Sequence, residues 1–236
     1  MGYHITGIIS AFLYGLSVLG LWIQLQKIRE RKHNPLITHP TAIISLNFMA
    51  MAFFAFFFLF TYGFALDHFN HYLVWPRLSA MVVSLLILYE MMQDRKELRS
   101  TFTFWLCSTS AFAGLLALIF FRDAAQILIP FSQTGIVAIT ITLAQANIHQ
   151  ILLIARSGST GGIALRSHQL TMVKDLGTVA FGLALGTSAG WPLILLCGSN
   201  ALMKLAIMYL FRWVRISPKA HARRETPMLT NAESSA

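Results

Sequence analysis

Charged and carboxamide side chains lie in this chain where a bilayer would tolerate them least. Lys174 and Asp175 are adjacent inside one apolar stretch, and Asn200 and Lys204 lie inside another. A charge within a membrane span is costly, so it is expected to face a cavity or a partner. Spacing assigns the faces. Thr171, Asp175, Thr178, Gly182 and Gly186 share one face of a helix, and Cys197, Asn200 and Lys204 share one face of another. Counted at 1.5 Å per residue, Asp175 lies about 9 Å and Lys204 about 13 Å from the same membrane edge, so the two are expected to pair or to share a ligand. Lys174 points about 100° away from Asp175 around the helix. Gly182 and Gly186 form a small-residue pair that would admit a neighbouring helix.

A second set of polar residues precedes these. Thr142, Gln145 and His149 lie on one helical face, and Asn147 with Gln150 on another. A histidine titrates near neutral pH, so His149 is a candidate proton relay beside its plainer role as a hydrogen-bonded neutral ring. Earlier in the chain Ser10, Tyr14, Ser17 and Gln24 recur at helical spacing, and Asn47 stands alone in the next apolar stretch. The pattern suits a solute-lined cavity or an ion pair that opens for a solute or a proton. It does not suit covalent catalysis: there is no nucleophile elbow, metal spacing, cysteine pair or phosphate-cradling loop. Neither an enzyme nor a bound cofactor is expected.

The elements that position these residues follow from composition. Of 236 residues, 56% are hydrophobic and 11% charged. Soluble domains carry about 25% charged residues, so an integral membrane protein is expected. The formal net charge is +9. In so apolar a chain this points to basic cytoplasmic loops and the lipid bilayer rather than to nucleic acid. Cys107 and Cys197 both fall in apolar stretches and are expected to be free thiols. A span needs about 20 apolar residues, which predicts seven, at 5–26, 42–65, 73–93, 102–121, 126–155, 169–188 and 191–213. Pro76 and Pro192 are expected in the first turn of spans three and seven, with Trp75 and Trp191 in the interfacial belt. The phenylalanine run from Phe53 to Phe58 is expected to face lipid, and Glu90 to reach water.

Basic residues follow spans one, three, five and seven, while the alternate loops are poor in them apart from Arg77. The positive-inside rule then puts the N-terminus outside and the C-terminus in the cytoplasm, in a plasma or inner membrane rather than an organelle. Spans one to three and five to seven share a layout. Aligning Gln24 with Gln150 also matches Ile28 with Ile154 and Ile37 with Ile163. The expected fold is all-α, two parallel three-helix repeats joined by a linking helix. Residues 1–93 form the first repeat, 94–123 the link, 124–213 the second repeat and 214–236 a disordered basic tail. Three helices plus one plus three place both repeats in the same orientation, related by an axis along the membrane normal.

The run from His149-Gln150 through Arg156 to Ser159-Thr160-Gly161-Gly162 resembles the PQ-loop repeat of SWEET-type sugar transporters and cystinosin-like transporters. Residues Ile23-Gln24 through Pro35 resemble a degenerate first copy. His149 and Ile23 stand where the family has proline, and spans one, five and six hold no central proline. The resemblance implies a secondary transporter of a small polar solute, an amino acid, organic acid or sugar, working by alternating access, with proton coupling as an option. The sugar-carrying relatives bind substrate through an asparagine in the third helix of a repeat. Asn200 matches that role, while the first repeat offers Ser84. A receptor or scaffold is the alternative, because the similarly shaped retrieval receptor for KDEL-type tails does not transport. The expected cavity lining is Asn200, Asp175, Lys174, Lys204, His149, Gln145, Gln150, Gln24, Asn47 and Tyr14. A homo-oligomer is compatible with either reading.

Overall fold

The structure is a computed structural model and describes residues 2–33, 40–41, 44–160, 165–220 and 222–223, apart from the side chains of Arg122, Asp123 and Ser167. Among the described residues it contains helices and connecting turns. The α-helices are α1 (Gly2–Lys32), α2 (Leu46–Ala65), α3 (His71–Arg95), α4 (Leu98–Phe120), α5 (Ile129–Ser157), α6 (Leu165–Ala184) and α7 (Thr187–Ile216), with a 3-10 segment Arg122–Leu128 before α5. Six helical stretches are long and apolar enough to cross a membrane, so the protein is read as integral to one. The remaining helix, α6, falls short of that measure. Arg166, His168, Gln169, Lys174 and Asp175 dilute its 20 residues.

Local chemistry accounts for the helix ends. The side chains of Ser45 and Asn70 accept from the backbone N–H groups of Phe48 and Leu73, capping α2 and α3. Gly158 closes α5 at φ 62°, a left-handed conformation suited to glycine. Gly161 and Gly162 lie outside the described residues, as do Pro35, Ile37 and Ile163. Pro130 lies in the first turn of α5, as a proline should. Pro76 and Pro192 do not sit in first turns, because α3 and α7 begin several residues earlier. A mid-helix proline cannot donate to the carbonyl four residues back. For Pro76 that carbonyl belongs to Tyr72, and Arg77 Nη1 donates to it at 3.1 Å. Near Pro192, the Tyr62 hydroxyl donates to the Ala189 carbonyl at 2.6 Å.

Packing arranges the helices around a centre. α3 lies between α1 and α2, and α7 lies between α5 and α6. α1 packs on α6, and α2 on α5, which closes a ring of contacts. α4 lies outside that ring, against α2 and α3. The α6–α7 contact rests on small residues, but Gly182 faces Gly190 of α7. Gly186, the expected partner of Gly182 on α6, is instead the N-cap of α7 at φ 92°. The helix ends two residues before it.

The phenylalanine run turns inward rather than toward lipid. Phe53, Phe57, Phe60 and Phe64 are buried and form the core with Met49, Met81, Ile87 and Leu88. Their four-, three- and four-residue spacing puts them on one helical face, and α2 presents that face to α3 and α4. Glu90 is buried too. Arg29 Nε and Lys32 Nζ from α1 reach its carboxylate at 3.2 and 2.9 Å, so the basic end of α1, not water, satisfies it. The disorder expected from position 214 is not found in the described residues there. α7 continues to Ile216, Val214 is buried, and Arg223 donates to the Ala155 carbonyl. Residues after Arg223 lie outside the described set.

Candidate functional site

A cavity of about 470 Å³ lies between α1, α2, α5, α6 and α7. Its walls are largely apolar, with Phe48, Ala55, Phe56 and Leu59 from α2 and Leu143 and Leu196 from α5 and α7. Polar groups converge from the other sides: Tyr14 from α1, Asn147 and Gln150 from α5, His168, Thr171, Lys174 and Asp175 from α6, and Asn200 and Lys204 from α7. An apolar cleft with a few convergent polar groups is the usual form of a small-molecule site.

The polar groups form one connected chain. Lys174 Nζ lies 3.0 Å from Asp175 Oδ1. Asn200 Nδ2 donates to Asp175 Oδ2. Asn147 Nδ2 donates to Asn200 Oδ1 at 3.3 Å, and Lys204 Nζ donates to Asn147 Oδ1 at 3.2 Å. Both carboxamides therefore point their NH₂ ends toward the carboxylate and their oxygens toward the Lys204 ammonium. The reverse orientation would set an amide oxygen against Asp175, so charge at the two ends orders the dipoles between them. Asp175 is 1% exposed. Its charge is compensated by this chain and not by water, as a buried carboxylate requires.

Asp175 and Lys204 thus communicate through Asn200 and Asn147 and make no direct pair. The expected pairing is replaced by Lys174, whose side chain is long enough to fold back to its own neighbour despite the angle between them. The inner stripe of α6 holds from Thr171 through Asp175 and Thr178 to Gly182. Thr178 Oγ1 donates to the Lys174 carbonyl at 3.1 Å and lies 3.4 Å from Ser10 of α1.

Of the expected lining residues, Asn200, Asp175, Lys174, Lys204, Gln150 and Tyr14 meet in the cavity. His149, Gln145, Gln24 and Asn47 do not. α5 turns the Asn147–Gln150 face inward, which leaves Gln145 and His149 exposed on its other side. Gln24 is half-buried on α1, away from the lining. Asn47 is exposed beside Arg95, Glu97 and Arg99 in a separate, shallower depression. The expected lining lacked Thr171, His168 and, within the polar chain itself, Asn147. Its spacing with Leu143 and Gln150 marks a helical face, but the sequence offers a second polar face on the same helix. Only packing chooses between them.

An aromatic closure that contributes nothing to the cavity lining stands at one end of the bundle. Tyr3, Tyr72 and Phe181 pack with ring centroids 5.5 to 5.8 Å apart. They come from the start of α1, the start of α3 and the end of α6. Gly7 lets the Tyr72 ring lie against α1, where a side chain would collide with it. The other side, at the start of α2 and the end of α5, carries Phe48, Gln150 and His168 in the lining. That is the side of the basic loops.

Two buried cysteines, Cys107 and Cys197, are free thiols, and Cys197 lines the cavity. Among the described residues no cluster of His, Cys, Asp and Glu could hold a metal ion. In comparison with known proteins, the chain matches no protein-family model and no curated protein.

Proposed function

We propose that the protein is a secondary transporter of a small polar solute, held in the cavity by the chain from Lys174 to Lys204. One observation carries this reading. A solute-sized cavity in an apolar helix bundle is lined by two ammonium groups, a carboxylate and two ordered carboxamides. Intramembrane ionisable groups that line a cavity are the usual mark of a solute path.

The helix packing supports an alternating-access mechanism. Exchanging α1 with α5, α2 with α6 and α3 with α7 maps every contact of the ring onto another. α1–α3 becomes α5–α7, α2–α3 becomes α6–α7, and α1–α6 becomes α5–α2. In this reading residues 1–93 and 124–213 are parallel three-helix repeats, 94–123 links them, and the solute sits at their interface. The resemblance to PQ-loop proteins agrees with that arrangement. The N-terminus is outside and the basic loops are cytoplasmic, so the cavity faces the cytoplasm and the aromatic closure is the outer gate.

Counterflow in proteoliposomes tests the reading. Vesicles loaded with one unlabelled amino acid, organic acid or sugar should take up the matching tracer. Asn200→Ala should reduce that uptake at least tenfold. Absence of counterflow for every solute class would leave a receptor on the same fold as the better account. Topology has its own test. His68 and Lys219 are exposed, so cysteines placed there, in a chain lacking Cys107 and Cys197, should label from opposite sides of the membrane. Labelling from one side would overturn the orientation.

A further inference from the structure

The charges near the cavity do not balance. Lys174 and Lys204 line it, with Asp175 as their carboxylate. A third cation, Arg77, stands immediately behind the lining. Its guanidinium carbon lies 4.0 Å from the centroid of the Tyr14 ring, and Tyr14 is itself a wall of the cavity. Lys174 Nζ approaches the same ring at 5.2 Å. Two cations therefore converge on the Tyr14 ring, and among the described residues Asp175 is the one carboxylate in the cavity lining.

Arg77 is fully buried, at 0% exposure. Its Nη1 is occupied by the Tyr72 carbonyl that Pro76 leaves without its helical donor. Among the described residues its Nε and Nη2 have no hydrogen-bond partner. Those two N–H groups form one edge of the planar guanidinium, the edge that accepts a carboxylate with two parallel bonds. An arginine buried with that edge empty is expensive, because its attraction to the Tyr14 ring replaces only part of the lost hydration. The Nη1 bond holds the plane in place, so the empty edge is fixed and ready rather than loose.

We propose that the solute carried by this site is a small carboxylate, and that Arg77 is a binding residue for it, engaged through the Nε–Nη2 edge when the Tyr14 ring moves aside. The proposal rests on the transport reading for its direction of travel, but the binding of an anion stands without it. The carboxylate enters at Lys174 and Lys204 on the cytoplasmic side. It meets Arg77 on the outer side of Tyr14, next to Tyr72 and the aromatic closure. The Tyr14 ring is the partition between the two positions. Arginine is suited to the second position because its fork orients a carboxylate, whereas an ammonium only attracts one.

Binding to the purified full-length protein in detergent tests this directly. The probes are lactate and succinate, with lactamide and succinamide as neutral isosteres, titrated by calorimetry. At least one acid should bind at least tenfold more tightly than its amide. Arg77→Met should weaken that acid at least tenfold. Arg77→Lys keeps the charge but loses the fork, and should also weaken it about tenfold. Tyr14→Ala should tighten it, because the partition is gone. Should Arg77→Met fail to fold, Arg77→Lys and Tyr14→Ala decide the matter.

Equal binding of acids and amides, no binding of either acid, or unchanged acid affinity in Arg77→Lys would each overturn the proposal. A purely structural Arg77 predicts altered thermal stability with the acid affinity intact. The two readings fail separately. Acid binding without counterflow removes transport and keeps the anion site. Counterflow of neutral solutes alone keeps transport and removes the anion site.

Discussion

The carboxylates Glu90 and Asp175 are both buried within helices, and they are satisfied in opposite ways. Glu90, near the C-terminal end of α3, is clamped by Arg29 and Lys32 of α1. Those partners are 41% and 53% exposed, so water and salt reach the cluster. Asp175, within α6, is held by Lys174 and Asn200, and its chain of partners runs along the cavity to Lys204. The first arrangement staples α1 to α3 and lines no part of the central cavity. The second is built into its wall. The half of the bundle formed by α1, α2 and α3 holds the phenylalanine core, and the half formed by α5, α6 and α7 supplies most of the polar groups that line the cavity. An ionisable residue near a membrane edge can be structural at little cost. The same residue deep in the bundle needs a set of partners, and such a set is also able to receive a solute.

The contrast predicts a graded series of effects. The largest is expected for Asp175→Leu, which leaves Lys174 without its carboxylate and Asn200 without its acceptor. Removing one member of a buried pair costs about 3–5 kcal/mol, so thermal unfolding in detergent should fall steeply. Adding Lys174→Met should recover much of the loss. A double variant no more stable than the single one would show that Lys174 is not the principal partner.

Next comes Gly190→Ala. A Cβ there would meet the backbone carbonyl of Gly182, which cannot swing away. Overpacking of this kind costs about 1–3 kcal/mol, read as a lower denaturant midpoint. Gly177→Ala is the control, since it meets mainly the tip of the Leu13 side chain and should cost less. Asn147→Leu should follow. It cuts the bridge between Asn200 and Lys204, and interhelical hydrogen bonds of this type are worth about 1–2 kcal/mol. Its effect on solute counterflow should exceed its effect on stability, because Lys204 loses the carboxamide that ties it to the rest of the chain of partners.

The smallest effect is expected for Glu90→Gln. Half-exposed ion pairs contribute about 0.2–1 kcal/mol. Raising the ionic strength should reproduce most of that loss in the unaltered protein, since exposed charges are screened. The Asp175 cluster should resist the same treatment. Equal salt sensitivity of the two clusters would erase the distinction drawn between them.

Much of the architecture was legible in the residues. Composition and apolar run lengths set out the helices and their order, because a membrane span must satisfy its own backbone hydrogen bonds and needs a minimum apolar length. The inward stripe of α6 from Thr171 to Gly182 and the Cys197–Asn200–Lys204 face of α7 were readable for the same reason, a fixed angular step per residue. The helix starts were not. Trp-Pro dipeptides suggested first turns at Pro76 and Pro192, whereas Arg77 and Tyr62 supply donors near the carbonyls that a mid-helix proline disturbs. The Tyr62 donor comes from another helix, so that compensation has no local signature.

What the sequence determined by itself is periodic and local: that the chain is helical and apolar, which side chains share a face, and that charge had been placed inside it. What only the tertiary structure decided is which face meets which. α5 offers two polar faces and turns Asn147 inward instead of His149. α2 buries its phenylalanines against α3 and α4 instead of showing them to lipid. Asp175 takes Lys174 and Asn200 in place of Lys204, and Arg77 is sealed behind Tyr14 with one edge empty. Each of these depends on the rotation of a helix about its axis against its neighbours. That angle is set by the summed packing of many side chains from several helices, and a single helix does not encode it.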